Sequence, residues 1–409
     1  MSRVIQVLYL ELWLHKAPNG LINWRYFGFG LTPLARQHRQ FWWANKRGIP
    51  RPIWLIIELW RWWRWVFYYA WVFSWKATRN WGAEVYALEG LSTKQQFWRI
   101  LKLAITWSIP PSASYQFRLY QSSINPLSFI FNHESLGYHA IQNKPYLKHQ
   151  KHLELIQDKL NLANKLKSLG VRMVDTLHHQ TRGSKIKLSQ LINAAYPVFC
   201  KSRFGYQGIG AFSAWQTKKE FRGLTFQGTL LANEVEVESA WTNLLSLDDA
   251  LIQPKLITHA ALIKMGNNQD VITVRYITKQ HKGRISCLTS FLQVPVGQSK
   301  TGQNVYTILP IDPQNGAIQK IPQYVLLNTE AKAYAASVWK RSPKNKLMPF
   351  WAELCHASLL AHQHCSEIHG IAWDWVITDD GPVMLEGNTG WGVLMPQILK
   401  GKGLLLDDD

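Results

Sequence analysis

The segment 370–390, GIAWDWVITDDGPVMLEGNTG, sets two acids where they should repel. Gly381 after Asp379 and Asp380 suits a three-residue hairpin loop, and that loop pairs Thr378 with Pro382 and Asp374 with Glu386. One face of the ribbon then carries Ile371, Trp373, Trp375, Ile377, Val383 and Leu385, all apolar. The other presents Asp374 and Glu386 side by side, with Asn388 pointing the same way. Like charges directly across a strand pair destabilise it. Three convergent oxygen-bearing side chains suit Mg²⁺, which takes one or two carboxylates and completes its shell with water and phosphate. The plainer alternative is an exposed ribbon end whose acids are screened by water.

Lys201 closes the short apolar run PVFCKS and precedes Gly205, Gly208 and Gly210 in RFGYQGIG. A glycine turn lets backbone N–H groups approach phosphate oxygens, and a lysine at its edge adds a point charge. Neither GxxxxGK[ST] nor GxGxxG is present, so a P-loop or dinucleotide fingerprint has little support. Arg275 in TVRYIT alternates with Val274 and Tyr276, which sends its charge to the opposite face; a solvated strand face is the other reading.

The elements that must hold these groups follow from periodicity. A helix is predicted over 153–171, ending at Gly170, then strands at 197–202 and in AFSAWQT, a helix over 234–246 and a strand in ALIQPKL. Hairpins are predicted over 271–294, turning at Lys282-Gly283, and over 304–321, turning at Asn315-Gly316; a helix over 349–368 leads into the acidic ribbon. His356, His362, His364, Cys365 and His369 gather on that helix without zinc spacing and are read as helix-face and helix-end side chains. His259 is read as a capping or solvated histidine. The basic run Lys144, Lys148, His149, Lys151 and His152 is either a solvated face or a guide for a phosphorylated substrate. Asp407–Asp409 are read as a frayed end.

The whole chain has 409 residues and a formal charge of +20, which favours an anionic partner. No KH, RRM or zinc-finger pattern is present, and nucleic acid is not the expected partner. Four scattered cysteines follow no disulfide spacing and fit a reduced cytoplasmic compartment. The N-terminus has Glu11 inside its apolar run and no small-residue cleavage site, so it is not read as a signal peptide.

Most of the 21 tryptophans lie before Pro110-Pro111. The stretch 53–79, IWLIIELWRWWRWVFYYAWVFSWKATR, is long enough to span a bilayer. Its central Arg61 and Arg64 would cost about +2.5 to +3.5 kcal/mol each, against about −0.3 to −0.6 for each apolar neighbour, so a span breaks even at best. Wound at about 100° per residue, Glu58, Arg61, Arg64, Lys76 and Arg79 fall within an arc of about 120°. Two readings stay open: a helix lying in a membrane interface, or one packed on protein.

The blocks QDKLNLANKLKSLGV, VFCKSRFGYQGIGAF, LIQPKLITHAAL, VITVRYIT and 348–388 occur in an order that resembles the ATP-grasp superfamily. Within it the chain looks most like the sugar-transfer associated group found with polysaccharide biosynthesis, over residues of about 150–398. The resemblance implies an α+β fold of two subdomains gripping ATP, preceded by a mainly helical Trp-rich region. It divides the chain into 1–114, 115–250 and 251–400. By position, Lys159 and Lys201 would hold ATP phosphates, with Gly208 and Gly210 in the loop covering them. The hinge at 251–255 would put backbone at Ile252 and Gln253 near adenine. Arg275 would reach the γ-phosphate, and Asp374, Glu386 and Asn388 would bind Mg²⁺. The implied activity is an ATP- and Mg-dependent carboxylate–amine ligase acting through an acylphosphate on a saccharide or natural-product precursor. The alternatives are a degenerate, membrane-docked scaffold subunit and a kinase that phosphorylates a hydroxyl. Ser202 replaces a common proline, Pro254 follows Gln253 where an acid is common, and Val305-Tyr306 lack a Gly-Gly start.

Overall fold

Val198 and Cys200 are buried while Phe199 and Lys201 between them are only half-buried, the period-two signature of a strand with one apolar and one working face. The structure, a computed structural model, describes residues 9–20, 30–46, 48–146, 150–192, 196–205, 208–216, 221–266, 270–298, 304–327 and 329–406. Lys148, His149, Asp407–Asp409 and the Tyr206-Gln207 part of the glycine loop lie outside these residues. Contacts divide the chain into two units, one of 1–146, 322–328 and 390–409, the other of 147–321 and 329–389.

Among the described residues the second unit holds eleven strands: β1 (His178–Gln180), β2 (Val198–Ser202), β3 (Phe212–Gln216), β4 (Phe221–Thr225), β5 (Leu230–Leu231), β6 (Ala250–Pro254), β7 (Thr273–His281), β8 (Arg284–Gln298), β9 (Asn304–Ile311), β10 (Gly370–Thr378) and β11 (Gly381–Asn388). They form two antiparallel sheets, ordered β1-β6-β2-β3-β4-β5 and β11-β10-β7-β8-β9. Val198, Cys200, Ala214 and Ile252 of the first pack under Trp241 and Leu244 of the helix Glu234–Leu247. That helix starts at Asn233, whose side chain accepts from the Glu236 N–H at 3.0 Å. Val274, Trp373 and Trp375 of the second sheet share a core with Leu354 and Ala361 of the helix Trp351–His364. His362 on that helix is buried, bonded through Nδ1 to Thr278 Oγ1 at 2.7 Å and through Nε2 to Ile368 O at 2.8 Å.

The helix predicted over 153–171 is two helices, Lys151–Gln157 and Lys159–Lys167, broken at Asp158. Asp158 is extended, and its carboxylate accepts from the N–H groups of Leu160 and Asn161 at 3.1 Å, an N-cap that restarts the chain. The hairpin predicted over 304–321 reduces to β9 and a single bridge between Ile311 and Ile318, because Gly316 N–H closes a tight turn onto Asp312 O at 2.9 Å. His259 caps the short helix Ala260–Ile263, its Nδ1 accepting from Ala261 N–H at 3.0 Å.

The acidic ribbon turns one residue tighter than predicted. Thr378 pairs with Gly381 across the two-residue turn Asp379-Asp380, and Trp375 pairs with Met384. A bulge between Asp374 and Trp375 then restores Asp374 opposite Glu386. Met384 thereby takes the place expected for Val383 and Leu385 beside Trp375, Val383 is buried opposite Val376, and Leu385 turns to the cavity.

The first unit is mainly helical. Its helices include Pro33–Ala44, Arg51–Arg64, Ala70–Glu89 and Thr93–Trp107. The π-helical turn Trp65–Tyr69 joins the second to the third. Glu58 is buried and accepts from Asn19 N–H at 2.9 Å, Asn19 Nδ2 at 2.7 Å and Arg61 Nη1 at 2.9 Å. Lys76 and Arg79 are exposed. The five charges therefore do not share one face, because the π turn carries extra residue per turn and resets the phase. Among the described residues no helix is long and apolar enough to cross a membrane.

Candidate functional site

A cavity of about 460 Å³ lies in the second unit, lined from both of its sheets. Its lining includes Lys159, Lys201, Gly208, Gln253, Arg275, Asp374 and Glu386, which sequence spacing scattered over more than half the chain. Asn388 joins them through its Nδ2, which donates to Asp374 Oδ2 at 3.2 Å and Glu386 Oε1 at 3.3 Å. Gly210 and Ile252 are not in the wall; Ile252 is wholly buried in the first sheet's core.

Each position has a local cause. Asp158 is held by Arg203 through bonds of 2.8 and 2.6 Å, which fixes the restart of the helix and puts Lys159 at its first residue. Lys159 Nζ donates to the carbonyls of Gly205 and Arg203 and stands 3.9 Å from Glu386 Oε2. Lys201 reaches the same space because alternation along β2 turns it away from Cys200. Ser202 Oγ donates to Asp248 Oδ2 and accepts from Gly205 N–H at 2.7 Å, so the residue in place of proline ties down the start of the glycine loop. Gly208 has φ +65°, and a Cβ there would run into the Phe226 ring.

Arg275 on β7 is in register with Asp374 on β10. Its Nε and Nη2 each donate to one Asp374 oxygen at 2.7 Å, a fork-to-fork pair. Burial pushes the Asp374 carboxyl up, against the pull of Arg275. Burial also opposes charge on Arg275, yet the Asp374 carboxylate outweighs it and holds the guanidinium above its ordinary range. Lys201 is lowered to about 8 by burial, with Lys159 adding to the effect and Glu386 and Asp374 resisting it. Burial likewise lowers Lys159, against Glu386.

The oxygen donors fit a hard divalent cation: two carboxylates, each within hydrogen-bond reach of one shared amide. Turning the Asn388 amide over exchanges N for O at the same point. Among the described residues no group of three or more His, Cys, Asp or Glu side chains offers a rival metal site.

Sequence reasoning missed part of the wall. Val174, Phe199, Phe226 and Leu385 supply apolar lining. Phe199 was within reach, being two residues from Lys201 on one strand face. Leu385 was not, since only the bulge turns it inward.

No curated protein matches this sequence. Solved structures resemble it at low identity. D-alanine–D-alanine ligase of Helicobacter pylori is 13% identical with a TM-score of 0.36, covering 62% of this chain and 57% of that one. The same enzyme of Bacillus anthracis gives 14%, 0.38, 62% and 66%, and VanG D-Ala:D-Ser ligase of Enterococcus faecalis 12%, 0.36, 62% and 60%. The match thus spans about three fifths of the length of these ligases. A family model described as sugar-transfer associated ATP-grasp matches residues 139–407. This chain belongs to the sugar-transfer associated ATP-grasp family, with an α+β ATP-grasp fold behind a helical N-terminal region.

Proposed function

We propose that this protein is an ATP-dependent carboxylate–amine ligase working through an acylphosphate. The observation that carries the proposal is the convergence of two lysines, an arginine and two carboxylates on one cavity between two sheets. In this reading the two sheets, which fall mainly within 115–250 and 251–400, are the two halves of the grip. Lys159, Lys201 and the N–H groups near Gly208 and Gly210 hold the β- and γ-phosphates. Gln253 in the cavity wall faces the adenine, whereas Ile252, its carbonyl bonded to Leu177 N–H, stays in the sheet.

Asp374, Glu386 and Asn388 would hold Mg²⁺, which when bound neutralises charge on the phosphates. Arg275 favours the ionised form of Asp374 through Nε and Nη2, and in this reading its Nη1, outside that pair, meets the γ-phosphate. A substrate carboxylate oxygen attacks the γ-phosphorus and ADP leaves. The amine then attacks the acyl carbon, phosphate departs, and the amine loses a proton. Positioning and cationic stabilisation supply the catalysis, so no side-chain nucleophile is needed.

The test is ADP release measured with candidate carboxylates and amines, and trapping with hydroxylamine. A hydroxamate and release that requires both substrates support the ligase. Asp374→Asn and Glu386→Ala should each lower turnover ~100-fold or more; wild-type turnover in either sinks the assignment. No calorimetric ATP binding would instead favour a scaffold, and a phosphorylated hydroxyl without hydroxamate a kinase.

A further inference from the structure

The helices Arg51–Arg64 and Ala70–Glu89, with the π turn between them, carry apolar side chains on their outer face as well as their inner one. The ion pair is inside: Glu58 is 0% and Arg61 1% exposed. Large apolar side chains are on both sides: Trp54, Ile57 and Trp65 are buried, while Phe67 is 68% and Ile56 65% exposed. A helix facing water keeps its outer face polar. Exposed apolar surface of this extent marks a contact with another phase or partner.

The rings meet in clusters rather than standing as isolated outliers. Trp60 stacks on Trp63 at 5.6 Å between centroids, Trp63 meets Phe67 at 5.4 Å, and Trp71 meets Trp98 of the helix Thr93–Trp107 at 6.2 Å. Basic side chains of the same three helices are exposed as well: Arg51, Lys76, Arg79, Lys94, Arg99 and Lys102. Arg79 lies 5.5 Å over the Trp75 ring. Residues 51–102 contain eight Lys or Arg and three Glu, and setting aside the buried pair Glu58 and Arg61 leaves seven against two. The face is therefore both apolar and cationic.

We propose that this face docks on an anionic lipid bilayer, with the helices lying flat in the headgroup region. Tryptophan and tyrosine favour that depth, where the ring is dehydrated and its polar edge stays wet, and basic side chains meet lipid phosphates. No described helix is long and apolar enough to cross, which leaves the face to lie on the surface. A second copy of the chain is the poorer occupant, because it would bring the same positive charge to the contact. This inference does not depend on the ligase reading.

The test is co-sedimentation of the full chain with phosphatidylcholine vesicles and with mixed phosphatidylcholine–phosphatidylglycerol vesicles. Binding to the mixed vesicles, with a blue shift of tryptophan emission, is expected. The triple variant Trp63→Ser, Phe67→Ser, Trp71→Ser should lose ~tenfold or more of the affinity at unchanged far-UV circular dichroism. Phe67→Ser alone, the mildest change, should weaken binding measurably if the triple variant fails to fold. Three results overturn the proposal: no binding to anionic vesicles; equal binding by wild type and Phe67→Ser, which means charge alone; or a wild-type dimer that Phe67→Ser dissociates without any vesicle binding.

Discussion

Arg275 and Asp374 face each other across neighbouring strands, with both carboxylate oxygens held by one guanidinium at 2.7 Å. The pair answers the question posed by two acids side by side on one ribbon. Asp374 is neutralised from the next strand, and Lys159 stands 3.9 Å from Glu386. The repulsion is therefore compensated before any cation arrives.

Arg275→Lys keeps the charge and loses the fork, so turnover should fall ~100-fold or more while the fold survives. Arg275→Ala leaves Asp374 buried without its partner and should also destabilise the second unit by about 2 kcal/mol, below the range for fully buried pairs because Arg275 is partly exposed. ADP release and urea unfolding read the two effects separately. Equal turnover in Arg275→Lys and wild type would deny the guanidinium a role.

Lys201, lowered to about 8 by burial, is charged below that pH and neutral above it. ATP phosphates favour its protonated form, so affinity for ATP should fall as pH rises through 8, by about tenfold per unit at most. Lys201→Arg stays charged and should flatten the profile. Calorimetry at several pH values checks both; a flat wild-type profile would remove Lys201 from the phosphate site.

His362 is lowered to about 4 by burial, opposed by its bond to Ile368 O. The unfolded chain takes up that proton near pH 6.5, before the folded one does. Its contribution is thus complete above that pH and lost as pH drops towards 4, by about 3 kcal/mol. His139 in the first unit, lowered to about 4 by burial, should act alike. Urea midpoints between pH 7 and 4 measure the slope, and His362→Gln should reduce it.

Gly137 packs directly against the Phe41 backbone, where an added Cβ would overlap the carbonyl. Gly137→Ala should force the helices Pro33–Ala44 and Ser135–Asn143 apart and cost about 1–3 kcal/mol. Gly390→Ala, with nothing near its Cβ, is the matched control in thermal unfolding.

The strands were legible because period-two patterning is local: Val198, Cys200, Val274, Trp373 and Trp375 announced their buried faces without knowledge of neighbours. The turn at Lys282-Gly283 was equally local. The break at Asp158 was not, since LELIQDKLNLANK keeps helical spacing, and Arg203, brought alongside by folding, secures the extended residue together with the N–H groups of Leu160 and Asn161.

Sequence by itself determined which side chains were available for the site and on which strand face each would stand, because alternation is a property of the backbone. Only tertiary structure decided how they meet. It supplied the bulge that returns Glu386 to Asp374, and the register that sets Arg275 beside Asp374. It also supplied the π turn that sends Lys76 and Arg79 outward while Glu58 and Arg61 go inward. Each of these depends on contacts between segments far apart in the chain, which no local pattern encodes.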